Sequence, residues 1–576
     1  MTKSVSQLTS FRLKLIARLT PLLFLLILVR LFYWQIIRGP QLATKANRQH
    51  QETSLLQAKR GDIYDNQGRL LVGTEQLYHL YVYKPQLEEE SQQVINQLTP
   101  ILAPTPPAAT PGAEVVLTQE DMLQQTEEFL EERFALTSNW VSLKHYLTEE
   151  QKDTINQLSL TGLGLEEEFI RYYPEASLSA HLLGFVGKDI AGQEQGYFGL
   201  EGYYDRQLKG RSGKVRTEKD AYGNPILIGQ YSLLQSQSGR SLTTTINKTE
   251  QFLVEQALKQ GIDRYGAKNG TVIVMEPSTG RITSMASFPN YDPANYSDFP
   301  TDVYKNPVVA DLFEPGSVFK PLIMAAALNE DLIEPDTKCD ICSGPVIIGE
   351  YTIKTWNDVY YPDSTMTDVI VHSDNTGMVF VARQLGADNM IDYLDNYGFG
   401  QLTGAQLQEE VAGQLKDPDR MAPTDLATNS FGQGIAVTRL QLITAFNALA
   451  NFGTLISPTL IQSIDGSPAP TPSSHQVVSL ETSQQITAML IQAVNQGEAK
   501  WAKPAGITIA GKTGTAQIPV EGTYDPDKTI TSFIGYFPAD QPRYTMLVTL
   551  TEPQTSIWGA ETAAPLWFNI ARQLLL

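Results

Sequence analysis

The sequence predicts a mixed α/β (α+β) protein. It should have one N-terminal membrane helix, a mostly-β pedestal, and a C-terminal domain built as a sheet flanked by helices. Three observations predict this. A single apolar run opens the chain at residues 19–37. A turn-punctuated stretch rich in Tyr and Gly follows it. Beyond residue 236, β-type segments stand at both ends of a long helix-dominated sequence. At 576 residues, of which 42% are apolar, the chain is too long for one core and can fill two or three.

The apolar run reads LTPLLFLLILVRLFYWQII. At helical rise its length is about 28 Å, close to a hydrocarbon core. Arg30 lies toward the outer half, where a long side chain can snorkel. Tyr33 and Trp34 stand where an interfacial aromatic belt belongs. Lys3, Arg12, Lys14 and Arg18 precede the run, so the positive-inside rule places residues 1–18 in the cytoplasm. No small-x-small site follows to suggest a cleaved signal peptide. Net charge is −20, although the first 38 residues hold six bases and no acid. The remainder is therefore strongly acidic. It lacks a nucleic-acid footprint and fits a soluble ectodomain outside the cytoplasm.

The pedestal is placed at 38–235. Arg60-Gly-Asp-Ile-Tyr-Asp-Asn-Gln-Gly68 reads as a strand and a turn, and Leu70–Gly73 as the returning strand. Residues 100–112 hold five prolines and read as an insertion. A helix is expected near Asp121 to Leu136, with Met122, Phe129, Leu130 and Phe134 inward. Residues 165–230 read as extended and turn-rich.

The second domain is placed at 236–576. A β-rich edge at 241–246 precedes a helix from Lys248 to Tyr265. A hairpin pairs 271–275 with 281–286, and strands are expected at 512–517, 531–537 and 544–550. Ala563 to Leu575 reads as a last helix, and 467–475 as a surface loop.

Only two cysteines occur, in Cys339-Asp-Ile-Cys342. Two thiols or one local disulfide is the plain reading. A metal site would need more ligands, such as Asp340 and His372. No metal or cofactor is assigned.

Three short motifs occur once each. Ser317-Val-Phe-Lys320 follows Pro315-Gly316 and opens a helical stretch. A helix N-terminus favours developing negative charge, and Lys320 lies one turn on. A serine hydroxyl needs a base near neutral pH, and a desolvated lysine can serve. Ser373-Asp-Asn375 occupies a turn between helical segments. Its hydroxyl can relay a proton, and its amide can bind a peptide carbonyl. Lys512-Thr513-Gly514-Thr515 sits in a strand interrupted by glycines, which mark close approach of a ligand backbone. A peptide can add along that edge, with Lys512, Thr513 and Thr515 holding a carboxylate.

With these motifs the ectodomain resembles the class B penicillin-binding proteins, the monofunctional peptidoglycan D,D-transpeptidases. The likeness extends to Phe313-Glu-Pro-Gly-Ser317, Ala510 to Gln517, Ser430 to Thr438, Arg60-Gly61 and Gly199 to Asp205. It implies the penicillin-recognising serine transpeptidase/β-lactamase-like fold, a non-catalytic elongated pedestal, and a single-pass anchor in the plasma (inner) membrane. It implies that Ser317 is acylated on D-Ala-D-Ala, and that the backbone N–H groups of Ser317 and Thr515 form the oxyanion hole. Catalytic roles fall to Ser317, Lys320, Ser373, Asn375 and Lys512. Substrate binding falls to Thr513, Gly514 and Thr515. Expected partners are stem peptides, lipid-linked glycan strands, a membrane glycosyltransferase and β-lactam antibiotics. Glu314 before Pro-Gly-Ser resembles the septal type, where the elongation type often has proline.

The chain departs from the pattern at Thr244–Glu250 and at Gly497-Glu498-Ala499. A β-lactamase would need a deacylating glutamate between the second and third motifs, and no such segment occurs there. A bifunctional synthase would need a glycosyltransferase domain for which no room is seen. A non-catalytic sensor or scaffold for β-lactam or wall peptide would share the motifs, but the short tail holds no signalling domain.

Overall fold

The computed structural model describes residues 2–42, 45, 51–105, 118–218, 232–520 and 523–576. Much of the Pro-rich 100–112 stretch, and all of 222–229, lie outside the described residues. The chain divides into two compact units, residues 1–58 with 211–238 and residues 59–210 with 239–576.

In the first unit, one helix runs Thr2–Phe32 and continues as a π-helical turn, Tyr33–Ile37. Within Ser10–Ile37 an 18-residue window reaches a mean hydropathy of 2.2, and none of that window is buried. A helix this long and apolar fits a single-pass membrane anchor. The π turn was not legible in the sequence. A three-stranded sheet joins Gln51–Leu56, Gly213–Glu218 and Ser232–Leu234 in that order.

The second unit holds a five-stranded antiparallel sheet in the order Ile282–Phe288, Asn269–Met275, Tyr544–Thr551, Thr523–Phe537 and Ala510–Val520. Its central strands are apolar on both faces. Val272, Val274, Met546 and Val548 pack against Val254, Leu258, Trp567 and Phe568 of the helices Lys248–Tyr265 and Ala563–Leu574. Ile273, Met275, Ile534 and Leu547 face the opposite core. That core is filled by the helices Lys320–Asn329, Arg439–Ala450 and Leu480–Gln496. Burying each such side chain stabilises by roughly 1.5–3 kcal/mol. Every residue of Arg439–Ala450 is buried, and its polar members Arg439, Gln441 and Asn447 donate to backbone carbonyls. The helix Lys248–Tyr265 has the expected bounds. Asn247 caps its first turn, and Gly266 ends it at φ 61°.

A seven-stranded sheet combines early and late segments. Ile63–Tyr64 pairs in parallel with Leu242–Thr244, which pairs antiparallel with Ile461–Ile464. On its other side Ile63–Tyr64 pairs with Leu70–Tyr83, which continues to Trp140–Leu147 and Leu163–Tyr172. Helices Ser91–Leu102, Gln119–Ala135 and Glu149–Gln157 border a core of Leu80, Val82, Val94, Leu98, Leu130, Val141 and Leu143.

Several local expectations need correction. Phe129 is exposed, while Met122, Leu130 and Phe134 are buried as expected. The segment at 199–208 is not extended: Gly199–Tyr203 and Asp205–Leu208 are short helices. A buried charge network decides that geometry. Arg60 Nε donates to Glu201 at 2.7 Å, Arg60 Nη1 to Asp205 at 2.7 Å and Arg171 Nε to Glu201 at 2.6 Å. Glu201 is fully buried and has cations on both of its oxygens. Within 467–475, Ser467–Pro468 and Ser474–Gln476 are strand residues. Cys339 and Cys342 are buried and joined as a disulfide. The thiolate pair that a metal site would need is therefore absent from this form. His372 is stacked on Tyr361 at 4.1 Å between ring centroids.

Candidate active site

Ser317 lies in a single 3-10 turn, Gly316–Phe319, immediately before the α-helix Lys320–Asn329. Pro315 and Gly316 force the turn, and Pro321 falls where a missing N–H costs little. This turn packs flat against the edge strand Ala510–Val520. A Cβ on Gly514 would come within 2.8 Å of Val318, so only glycine permits the contact. Gly432 is similarly constrained. Its φ is 78°, and a Cβ there would lie 2.7 Å from the Gly316 nitrogen. The Gly316 N–H donates to the Gly432 carbonyl at 2.9 Å.

Lys320 is fully buried. Its Nζ donates to the Ser373 carbonyl at 2.6 Å and to Asn375 Oδ1 at 2.8 Å. Ser373 Oγ lies 3.3 Å away. The two short bonds go to atoms that only accept. A neutral amine has two N–H groups for them and keeps a lone pair. Burial drives the Lys320 pKa far below its ordinary value, and the nearby charge of Lys512 lowers it further. Asp374 and Glu498 act in the opposite sense. Burial thus favours the neutral amine at Lys320.

Ser373 sits at φ 56° between the helices Met366–Val371 and Asn375–Leu385. A non-glycine residue in that region is strained, and such strain gathers at functional sites. Asp374 pins the turn. Its Oδ1 accepts from the Thr376 N–H at 2.7 Å and from the Gly377 N–H at 3.3 Å, capping the second helix. Asn375 Nδ2 donates to the Lys354 carbonyl at 3.0 Å.

Lys512 is buried on the edge strand, and its Nζ reaches the carbonyl and hydroxyl of Thr513 at 3.1 and 3.2 Å. Burial lowers its pKa to about 8, against the opposing charge of Glu498. Thr515 Oγ1 accepts from the Gly559 N–H at 2.9 Å.

A cavity of about 230 Å³ opens on this constellation. Ser317, Asn375 and Thr515 line it directly. Behind that surface Lys320 donates to both Ser373 and Asn375. Thr513 and Gly514 contribute no lining. Thr513 serves Lys512, and Gly514 provides the flat floor. Sequence reasoning missed Thr355, Trp356, Phe431, Gln433 and Trp558, all of which line the cavity. Trp356 and Trp558 meet edge to face at 5.0 Å. The Thr355 hydroxyl is buried and has no protein partner among the described residues. The one available signal was a pair of tryptophans in loop sequence, far apart in the chain.

The penicillin binding protein transpeptidase domain family matches residues 270–575. The chain belongs to this family. Its segment 55–244 matches the penicillin-binding protein dimerisation domain. Stage V sporulation protein D of Bacillus subtilis is 31% identical, over 96% of this chain and 84% of the relative. Peptidoglycan D,D-transpeptidase FtsI of Escherichia coli K12 is 30% identical, over 74% of this chain and 71% of its own. Among solved structures, penicillin binding protein 2X from Streptococcus thermophilus superposes with a TM-score of 0.76. It is 23% identical, with 91% of this chain and 80% of that one covered. Penicillin binding protein 3 from Mycobacterium tuberculosis, complexed with aztreonam, gives a TM-score of 0.67 at 26% identity and covers 91% and 96%. As a penicillin-binding protein with a matched transpeptidase domain, the chain is an enzyme of peptidoglycan cross-linking.

Proposed function

We propose that this penicillin-binding protein cross-links stem peptides through an acyl-enzyme on Ser317. The observation that carries the reading is Lys320: fully buried, depressed in pKa, and bonded to Ser373 and Asn375 behind the cavity that Ser317 lines. Lys320 accepts the Ser317 proton as Oγ attacks the penultimate D-alanine carbonyl. The backbone N–H groups of Ser317 and Thr515 hold the oxyanion. The C–N bond breaks, and Ser373 relays a proton to the departing D-alanine amine. A second stem peptide's amine then attacks the ester and regenerates Ser317. Asn375 and the Thr355 hydroxyl are placed to bind donor-peptide backbone, and Lys512 with Thr513 and Thr515 to hold its terminal carboxylate.

β-Lactams acylate the same serine. The N-terminus lies in the cytoplasm, the pedestal spans 38–235, and the catalytic domain spans 236–576 outside the inner membrane. A membrane glycosyltransferase supplies the glycan strands.

Fluorescent penicillin labelling of the full-length protein tests this reading. One adduct should form, mapping to the peptide that contains Ser317, and Ser317→Ala should abolish it. An adduct persisting in Ser317→Ala would reject the assignment.

A further inference from the structure

Glu314 stands three residues before Ser317 and does no chemistry in the mechanism above. Its position is nonetheless unusual. Its carboxylate oxygens accept from the Tyr524 hydroxyl at 3.0 and 3.2 Å, and Oε1 also accepts from the Gly434 N–H at 3.0 Å. These partners come from two separate segments. Tyr524 lies on the strand Thr523–Phe537, in the outer part of the hairpin beyond a register shift at Gln517/Ile518. Gly434 belongs to the loop that follows the helix Pro423–Asn429.

Both segments also wall the catalytic cavity. The hairpin contributes Thr515, Gln517 and Thr529, and the loop contributes Phe431 and Gln433. One carboxylate therefore ties the two walls together at the foot of the Ser317 turn. Tyr524 is partly exposed, and its partial burial and the Glu314 charge push its pKa up to about 12, so its hydroxyl stays protonated as the donor. Hydrogen bonds to a charged acceptor are roughly twice as strong as neutral ones. The Gly316–Gly432 bond fixes the base of the same loop independently. The Glu314 tie thus spans the two walls, while the base of the loop has its own separate bond to the nucleophile turn.

We propose that Glu314, through Tyr524 and Gly434, is a positioning residue for the acceptor step. It sets the gap through which the incoming amine, rather than water, reaches the acyl-Ser317 ester. This rests on the acyl-enzyme reading above. The acyl–oxygen bond of the ester breaks in either outcome. Attack by amine forms the amide cross-link, and attack by water forms a free carboxylate and a lost turnover. A tied gap admits a peptide amine in one orientation and restricts free water. An untied one loses that orientation while leaving Ser317, Lys320 and Ser373 as they are.

The test uses the full-length protein, a D-Ala-D-Ala peptide thioester or ester donor, and a D-amino acid acceptor such as D-alanine. The ratio of aminolysis to hydrolysis products is measured beside the rate of penicillin acylation. Tyr524→Phe and Glu314→Ala should lower the product ratio about tenfold or more, with acylation within about threefold of wild type. Glu314→Gln, which keeps an acceptor oxygen for Gly434, should recover part of the ratio. An unchanged product ratio in both Tyr524→Phe and Glu314→Ala would overturn the proposal. So would a loss of acylation equal to the loss of aminolysis, because Glu314 would then act on the nucleophile turn. Failure of the acyl-enzyme reading would appear separately, as acylation that survives Ser317→Ala.

Discussion

Replacing Lys320 by methionine removes the base and leaves most of its volume. The amine donates two short bonds, to the Ser373 carbonyl and to Asn375 Oδ1. Leaving two buried acceptors unpaired costs on the order of 1–3 kcal/mol each. An opposing gain arises because the folded protein penalises a charged lysine at this site, as its strongly lowered pKa records. A methionine escapes that penalty. The two effects partly cancel, so Lys320→Met should melt within several degrees of wild type. Chemistry has no such compensation. Loss of a general base lowers rate by ~10²–10⁴, equivalent to about 3–5 kcal/mol in the barrier. The second-order rate of fluorescent penicillin acylation, measured beside a melting curve, separates the two effects. A variant that melts normally and acylates within about tenfold of wild type would refute Lys320 as the base.

Two further outcomes follow from the same site. Protonated Lys512 should hold the donor carboxylate below about pH 8, so KM should rise with pH above that value, and Lys512→Arg should flatten the rise. For stability, the Lys512 pKa falls from 10.5 to about 8 on folding, so the unfolded chain binds more protons in that window. Stability should therefore climb between those pH values by up to about 3 kcal/mol, read by urea titration at stepped pH. The Cys339→Ser, Cys342→Ser double variant should keep near-normal acylation. The disulfide closes a ring with sequence separation 3, so its chain-entropy contribution is at most about 2 kcal/mol.

The candidate site residues stood out because their chemistry dictates local sequence, and the structure brings Lys320, Ser373 and Asn375 together beside the cavity that Ser317 lines. Ser317 and Lys320 sit three residues apart, on a 3-10 turn and the α-helix that follows it, and the glycines around Lys512 mark a strand that a neighbour crosses closely. The helix Lys248–Tyr265 was legible to its ends because Asn247 and Gly266 are strong boundary residues. What escaped depends on contacts between distant segments. Trp356 and Trp558 become a cavity wall only when a loop before the second motif meets one after the last strand. The segment 199–208 carries strand-like tyrosines and glycines. It turns helical because Glu201 must meet Arg60 and Arg171. In the sequence, Glu498 stood out only as a departure from the family pattern. In the structure its charge bears on both Lys320 and Lys512.

The sheet that joins Ile63–Tyr64, Leu242–Thr244 and Ile461–Ile464 has a consequence for how the protein is made. The first of these strands leaves the ribosome early, yet its parallel neighbour is not synthesised until most of the pedestal has followed. The third arrives after two of the three catalytic motifs. Long-range pairing of this kind is slow to form, since a large loop must close before any bond rewards it. Until then the strand Leu242–Thr244 presents open edges, and the apolar residues Leu242 and Ile63 lack their shared core. Closure of this sheet therefore waits on segments that are far apart in the chain.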